Sequence, residues 1–310
     1  MRISSLTLFQ RGFSRFGGNT GGGIIGCTTA YFITRHPSFS PSKHNVTILE
    51  SQSIASAASG KAGGLLALWA YPSCIVPLSY QLHAELAAKH DGAKRWGYRA
   101  LNCGSVTAKG RAYPSTNTEE SKSEQSRETP QKLPKTDQKT KPRKDAQSIP
   151  DSLDWFDPDT IQGYAKMGDP STTAQVHPYL FTTSMADLAV EAGAKIILGS
   201  ATALDYTGPH GIKAVTYEDK ETKKIHTIPA TDVILAAGPW TSHVFPEAPI
   251  AATRAHSVVV KADVSPHAIF SEIELPKGFG KKGNVNGRWH ANIAGPELYP
   301  RPDGTVYVCG

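Results

Sequence analysis

Three short runs of small residues hold the groups in this chain that could do chemistry. The first is Gly21-Gly22-Gly23-Ile24-Ile25-Gly26, a G-x-G-x-x-G pattern. Gly21 permits a tight turn, Gly23 lets the backbone approach a pyrophosphate, and Gly26 lets the helix opened by Ile24 and Ile25 lie close to a neighbouring strand. Phosphates would then sit at the positive N-terminus of that helix. Gly-rich turns are common, so the surroundings decide the meaning. A helical stretch from Ile24 to Thr34, stopped by Pro37, is followed by Asn45–Glu50 (NVTILE), a buried-strand pattern. Glu50 lies 24 positions past Gly26, where a carboxylate can accept hydrogen bonds from ribose 2′- and 3′-hydroxyls.

The second run is Ser56–Gly64 (SAASGKAGG). Its small residues let a backbone pass beside a large planar ligand, with the Ser59 hydroxyl available to phosphate oxygens and Lys61, Ala62 and Gly63 alongside. The third is Asp232–Thr241 (DVILAAGPWT), a buried strand running into Ala237, Gly238 and Trp240. There the missing Cβ of Gly238 allows close approach of backbone.

These runs need elements to hold them. Further helices are expected at about Ser79–His90 and Pro178–Ala192, with strands at Lys195–Leu198 and Asp232–Ala236 and a polar hairpin near Asp219–Lys224. Between Pro114 and Ala146, Leu133 is the one aliphatic residue other than alanine, so this stretch has too little to bury to offset its ordering entropy. No strand pattern directly precedes Gly21. Gly12–Thr20 is not one, and Ile3–Phe9, which a sheet could take as a substitute, lies 11 residues upstream.

The 310 residues allow two domains, and 39% apolar residues suffice for a core. The net charge of +6 comes from bases spread along the chain, with no aromatic-interleaved stripe; nucleic acid is not expected, and an anionic small molecule is the milder explanation. Cys27, Cys74, Cys103 and Cys309 fit no metal-binding spacing. The longest apolar stretch, Ala62–Tyr71, is about half of a bilayer span, so no transmembrane segment is expected. With no secretory h-region, a cytoplasmic location is expected; the acid-free, Arg- and Ser-containing first 18 residues leave a mitochondrial presequence as the alternative.

Taken in order, the three runs resemble the FAD-dependent oxidoreductases of the D-amino-acid-oxidase-like superfamily, which includes glycine oxidase and sarcosine oxidase. The wording of Ser56–Tyr71 is most similar to a fungal branch. The resemblance covers Gly21–Gly310 apart from the insertion, and Ala174–Pro178 with Gly193–Ile196 is similar to the family's hinge into a second FAD-binding stretch. It implies an α/β fold, an FAD-type Rossmann domain with a second, mixed-sheet substrate domain. The implied division is an aberrant or presequence-like 1–20, a discontinuous Rossmann domain at 21–110 and 170–245, a disordered insertion at 111–150, and an incomplete substrate domain at 151–169 and 246–310. It also implies FAD as cofactor, Ala201 near the adenine, and a small amine or amino acid as substrate. No Cys or His matches the family's covalent attachment residues, so FAD is expected to be non-covalent.

Catalytic candidates are Lys61 in the flavin loop, and Arg254 and Arg288, with His290, as carboxylate anchors; His177 and His256 read as structural. The chain departs from the family in lacking a strand before Gly21 and in stopping at Gly310, short of a segment that covers the flavin. It is therefore expected to be incomplete at both ends and to hold FAD weakly. Two other functions stay open: a cofactor-deficient relic or interaction protein that keeps the fold, and an NAD(P)-dependent dehydrogenase, which shares the glycine fingerprint. The sequence does not indicate an oligomeric state. Deleting Ser115–Lys144 should leave the melting temperature nearly unchanged in calorimetry, because that segment offers almost nothing to bury; a loss of several degrees would show that it packs on something.

Overall fold

The computed structural model describes residues 5–9, 15–111, 149–208, 211–276 and 293–310, the backbone alone at 5–9 and 15–20. Most of the expected insertion, and Arg288 with His290, lie outside the described residues. In chain order, β1 (Ser5–Phe9), β2 (Arg15–Thr20), α1 (Ile24–Thr34), β3 (His44–Glu50), β4 (Leu65–Ala67), α2 (Val76–Lys89), α3 (Gly92–Trp96), β5 (Arg99–Ala100) and β6 (Asn102–Lys109) come first. There follow β7 (Ile161–Gly168), β8 (Thr173–Gln175), α4 (Pro178–Glu191), β9 (Lys195–Tyr206), β10 (Ile212–Asp219), β11 (Ile225–Pro229), β12 (Asp232–Leu235) and α5 (Thr241–Val244). The last elements are β13 (Ser257–Lys261), β14 (His267–Glu274), β15 (Ile293–Ala294), β16 (Glu297–Pro300) and β17 (Thr305–Cys309).

Local chemistry explains the helix ends. Pro178 opens α4 at a position whose N–H would have no helical partner. Gly193, at φ +101°, closes it, with its N–H on Val190 O and that of Ala194 on Ala189 O.

The first sheet has the order β1-β12-β2-β3-β9-β10-β11. Its centre is parallel: β2 pairs with β12 through Gly17–Thr20 and with β3 through Arg15 and Phe16, and β3 pairs with β9. This corrects the reading of Gly12–Thr20. A strand does precede the glycine turn, and it runs directly into Gly21. Its sequence, RFGGNT, has little strand propensity, but the facing edges of β3 and β12 present backbone donors and acceptors that need partners, and that requirement overrides propensity. The upstream β1 pairs antiparallel with the same two strands.

Helices cover one face of this sheet. Val46 and Ile48 of β3 meet Cys27, Ala30 and Tyr31 of α1 and Phe181, Met185 and Leu188 of α4 in one buried cluster. Leu49 points the other way, into Ala201, Val215, Tyr217 and Ala230. A parallel strand buried on both faces reads as a continuous apolar run, which is the NVTILE signal.

The second sheet, β13-β17-β16-β14-β6-β7, is mixed, with β6 parallel to β14 and the other neighbours antiparallel. It takes in β6, although the sequence division carried the nucleotide half through residue 110. Cys103, Ala268, Tyr299 and Tyr307 line one face with Leu65 and Trp69, while Val106, Ala108, Ile161 and Ile269 line the other under Leu153, Trp155 and Phe156. His267, 0% exposed, joins the layers through Ser152 Oγ at 3.1 Å and Tyr164 Oη at 3.2 Å. A short third sheet, β4-β8-β5, links the two.

Burial keeps two histidines uncharged in the fold: it lowers His267, and it pushes His83, whose ring is tilted on Phe181, down to about 4. A histidine depressed below its unfolded value of about 6.5 supports the fold fully above that pH and loses its contribution as pH falls towards the folded value. Denaturant midpoints should therefore drop between pH 6.5 and about 4, and His83→Leu should flatten part of that drop. An equally steep fall in the variant would assign the acid sensitivity elsewhere.

Candidate functional site

The turn between β2 and α1 is interlocked. At Gly21, φ +133°, a Cβ would lie 2.1 Å from Ala236 O, and at Gly26 one would lie 1.9 Å from Gly21 O. Glycine is thus required both under the turn and where the helix crosses it. The segment after β3 wraps around this turn. Glu50 is 4% exposed; its Oε2 accepts from Gly22 N–H at 2.8 Å and its Oε1 from Gln52 N–H at 2.9 Å. Ala55 N–H returns to Gly22 O at 2.8 Å. Ser59 Oγ accepts from Ile24 N–H at 2.9 Å, so an oxygen already sits on a first-turn donor of α1.

A cavity of about 800 Å³ opens at this end of α1. That is within the range of small-molecule and cofactor sites. Of the sequence-derived residues, Gly23, Ile24, Ile25, Glu50, Ser59, Lys61, Ala237, Gly238 and Trp240 line it. Gly21 and Gly26 stand behind the lining, in the turn itself. Ala62 and Gly63 are not on the wall, and Ala201 is buried among Leu49, Val215 and Tyr217. Arg254 lies in an exposed stretch away from the cavity, and Arg288 is outside the described residues. Gly238 adopts φ +52° with nothing within 4 Å of a Cβ, so its conformation, and no close neighbour in the chain, calls for glycine.

The lining carries three charged side chains, Glu50, Lys61 and Lys220, beside the positive end of α1. Ile25, 62% exposed, and Ile250 add apolar surface at the same wall. A ligand with phosphates, a hydroxyl-bearing sugar and flat apolar rings suits this set. Sequence reading missed Gln52, Lys220 and Ile250 on the wall; their types carry no signal, and Lys220 and Ile250 arrive from segments far along the chain.

The back of the Ser59–Gly64 loop is gripped by the second sheet. Tyr307 Oη donates to Lys61 O at 2.9 Å, Arg301 Nη2 donates to Ala62 O at 2.9 Å, and a Cβ on Gly63 would lie 2.4 Å from the Tyr299 ring. Burial pushes the Arg301 guanidinium down from its usual range, while Tyr307 stacks under it at 5.0 Å. Tyr299 donates to the Glu297 carboxylate, and burial, first, then that carboxylate push its phenol up. The signal was faint: Tyr299 in β16 and Arg301 just past its end are alternate positions, and Tyr307 faces Tyr299 across the ladder.

Fold and site together define a two-part α/β protein, a nucleotide-binding Rossmann unit and a mixed-sheet domain linked by the short third sheet, with the Ser59–Gly64 loop held between them. Residues 20–310 match the DAO family of FAD dependent oxidoreductases, and the chain belongs to that family. Its cofactor is FAD. The chain is 32% identical to the Saccharomyces cerevisiae oxidoreductase TDA3 over 390 residues, spanning 94% of this chain and 72% of the yeast protein. It is also 32% identical to a Schizosaccharomyces pombe oxidoreductase over 307 residues, covering 94% of this chain and 68% of the other. The glycine oxidase structure from Bacillus cereus superposes with a TM-score of 0.57 at 18% identity, covering 94% of this chain and 69% of that one, and so shares the fold.

The two kinds of glycine should respond differently to a methyl group. Gly26→Ala meets backbone at 1.9 Å and should lower the calorimetric midpoint by about 4 °C or more, whereas Gly238→Ala faces open space and should cost only the left-handed penalty of about 1 kcal/mol, or roughly 2–4 °C. Equal losses at both sites would contradict the interlocked turn.

Proposed function

We propose that this chain binds FAD non-covalently in the cavity above α1 and oxidises a C–N bond of a small amine or amino acid. The observation that carries the cofactor assignment is the Glu50 carboxylate, held at 2.8 Å from Gly22 N–H where β3 and the start of α1 meet. In that position its remaining lone pairs suit a ribose diol, and the donors of the first helical turn, one of which already holds the Ser59 oxygen, suit phosphate oxygens. Leu235 to Trp240, with Ile25, offer the apolar wall that a flat ring system needs. Neither Cys nor His occurs among the lining residues, and the buried Cys27 and Cys103 thiols are pushed up to about 12 by burial, which supports non-covalent binding.

When bound, FAD supplies the acceptor for the two electrons that leave the substrate. The protein's part is positional. Lys61 lines the cavity, and its carbonyl is held from the second sheet by Tyr307, so the residue stands at the junction of the cavity wall and that sheet. Tyr299, Arg301 and Tyr307 hold the loop backbone still. The glycine oxidase likeness favours an amino acid or amine as the class of substrate.

Purified protein should titrate with FAD and show flavin absorbance that is bleached, without oxygen, by at least one member of a panel of amino acids and amines. Glu50→Ala should weaken FAD by about tenfold to a hundredfold, because it removes the sugar's acceptor and leaves the Gly22 and Gln52 N–H groups bare. A protein that takes up no flavin overturns the cofactor assignment. Uptake without bleaching by any amine overturns the C–N reading and leaves the flavin site standing.

A further inference from the structure

The one cation on the cavity wall that no motif accounts for is Lys220, at the tip of the hairpin between β10 and β11. Its Nζ donates to the Gln52 carbonyl at 2.6 Å, across 168 positions of sequence. The same peptide segment donates Gln52 N–H to Glu50 Oε1 at 2.9 Å, and Glu50 Oε2 accepts from Gly22 N–H at 2.8 Å. An unbroken line of hydrogen bonds therefore runs from the hairpin tip, through the Gln52 backbone and the Glu50 carboxylate, to the glycine turn under α1.

The tip is a firm mount. Asp219 Oδ1 accepts from Glu221 N–H at 3.1 Å, Thr222 N–H at 2.8 Å and the Thr222 hydroxyl at 2.8 Å. Lys220 N–H itself bonds Leu198 O at 3.0 Å, and Leu198 is the residue beside Glu50 in the β3–β9 ladder. Backbone and side chain of Lys220 thus fasten to both sides of Glu50, one through the neighbouring strand and one through the following turn.

We propose that Lys220 is a positioning residue for the cofactor: it clamps the Gln52 peptide so that Glu50 stays aimed at the sugar hydroxyls of an adenine dinucleotide, and its positive charge offsets the carboxylate that the incoming phosphates would otherwise meet. The proposal deepens the FAD reading of the same cavity and rests on it. A free chain end of Glu50 swinging among rotamers would bind the diol less well, and the carboxylate's repulsion of a pyrophosphate would go uncompensated.

The test measures dissociation constants by flavin fluorescence for FAD and by competition for ADP, the half that reaches this end of the cavity. Lys220→Met should weaken both by the same factor, about tenfold, the worth of one charge-assisted hydrogen bond. Lys220→Arg, which keeps the charge and the donor, should recover to within about threefold. In a Glu50→Gln background, Lys220→Met should cost less than about twofold, since residues acting through one another are not additive. The melting midpoint of each cofactor-free variant checks that the partly exposed turn has not unfolded. A tenfold loss in both backgrounds would show that Lys220 touches the ligand independently of Glu50, and no loss in the native background would show that the clamp is idle; either result overturns the proposal. If the native chain takes up neither FAD nor ADP, the cavity assignment itself fails and the clamp fails with it, whereas tight FAD binding unaffected by Lys220→Met removes only the clamp.

Discussion

A buried carboxylate held by one backbone N–H on each of its oxygens ties this architecture together. Glu50 sits at the C-terminal end of a central strand with 4% of its surface exposed, a place where an ionised group is costly unless hydrogen bonds replace water. Two amide N–H groups do so, and each belongs to a different connection: Gly22 to the turn that opens α1, Gln52 to the segment that leads to the cavity wall. One side chain therefore fixes the relative placement of strand, helix and loop. Gly22 is a consequence of that closeness, because a Cβ there would lie 2.9 Å from Glu50 Cγ.

The second organising constraint lies on the far side of the same wall. The Ser59–Gly64 loop puts Ser59 and Lys61 on the cavity wall and two of its carbonyls on the second sheet, where Tyr307 and Arg301 take up the oxygens of Lys61 and Ala62. A loop this rich in Gly and Ala has little intrinsic order, so its shape comes from what grips it. The second sheet thereby shapes the cavity wall.

What was legible in the sequence is what depends on near neighbours. Gly21, Gly26 and Glu50 are separated by short spans, and their spacing alone marks a helix N-terminus beside a strand end. The apolar run of β3 and the Pro178 and Gly193 boundaries of α4 were readable for the same reason. Strand β2 was not, because its glycines carry no strand preference and its order comes from pairing with β12 and the start of β3. Lys220, Tyr299, Arg301 and Tyr307 were invisible on other grounds. Each reaches the site from 168 to 246 positions away, as its hydrogen bonds or ring contacts show, and no local pattern encodes such a distance.

The parallel pairing of β6 with β14 also says something about how the chain comes to its fold. Cys103 and Ala268 face each other across a ladder that encloses 165 positions of chain, and within that span lie most of the strands of the first sheet. The second sheet cannot close until its later strands have emerged from the ribosome, so β6 must wait with its Cys103 face uncovered. Such non-local ladders place the molecule among slow folders. They also make the ladder tolerant of chain length: closure entropy grows with the logarithm of length, so an enclosed chain of 165 positions costs only about 0.2 kcal/mol more to close than one shorter by roughly a fifth. A change in the length of the enclosed chain is thus nearly silent in closure entropy, while any change that delays β14 prolongs the exposure of β6.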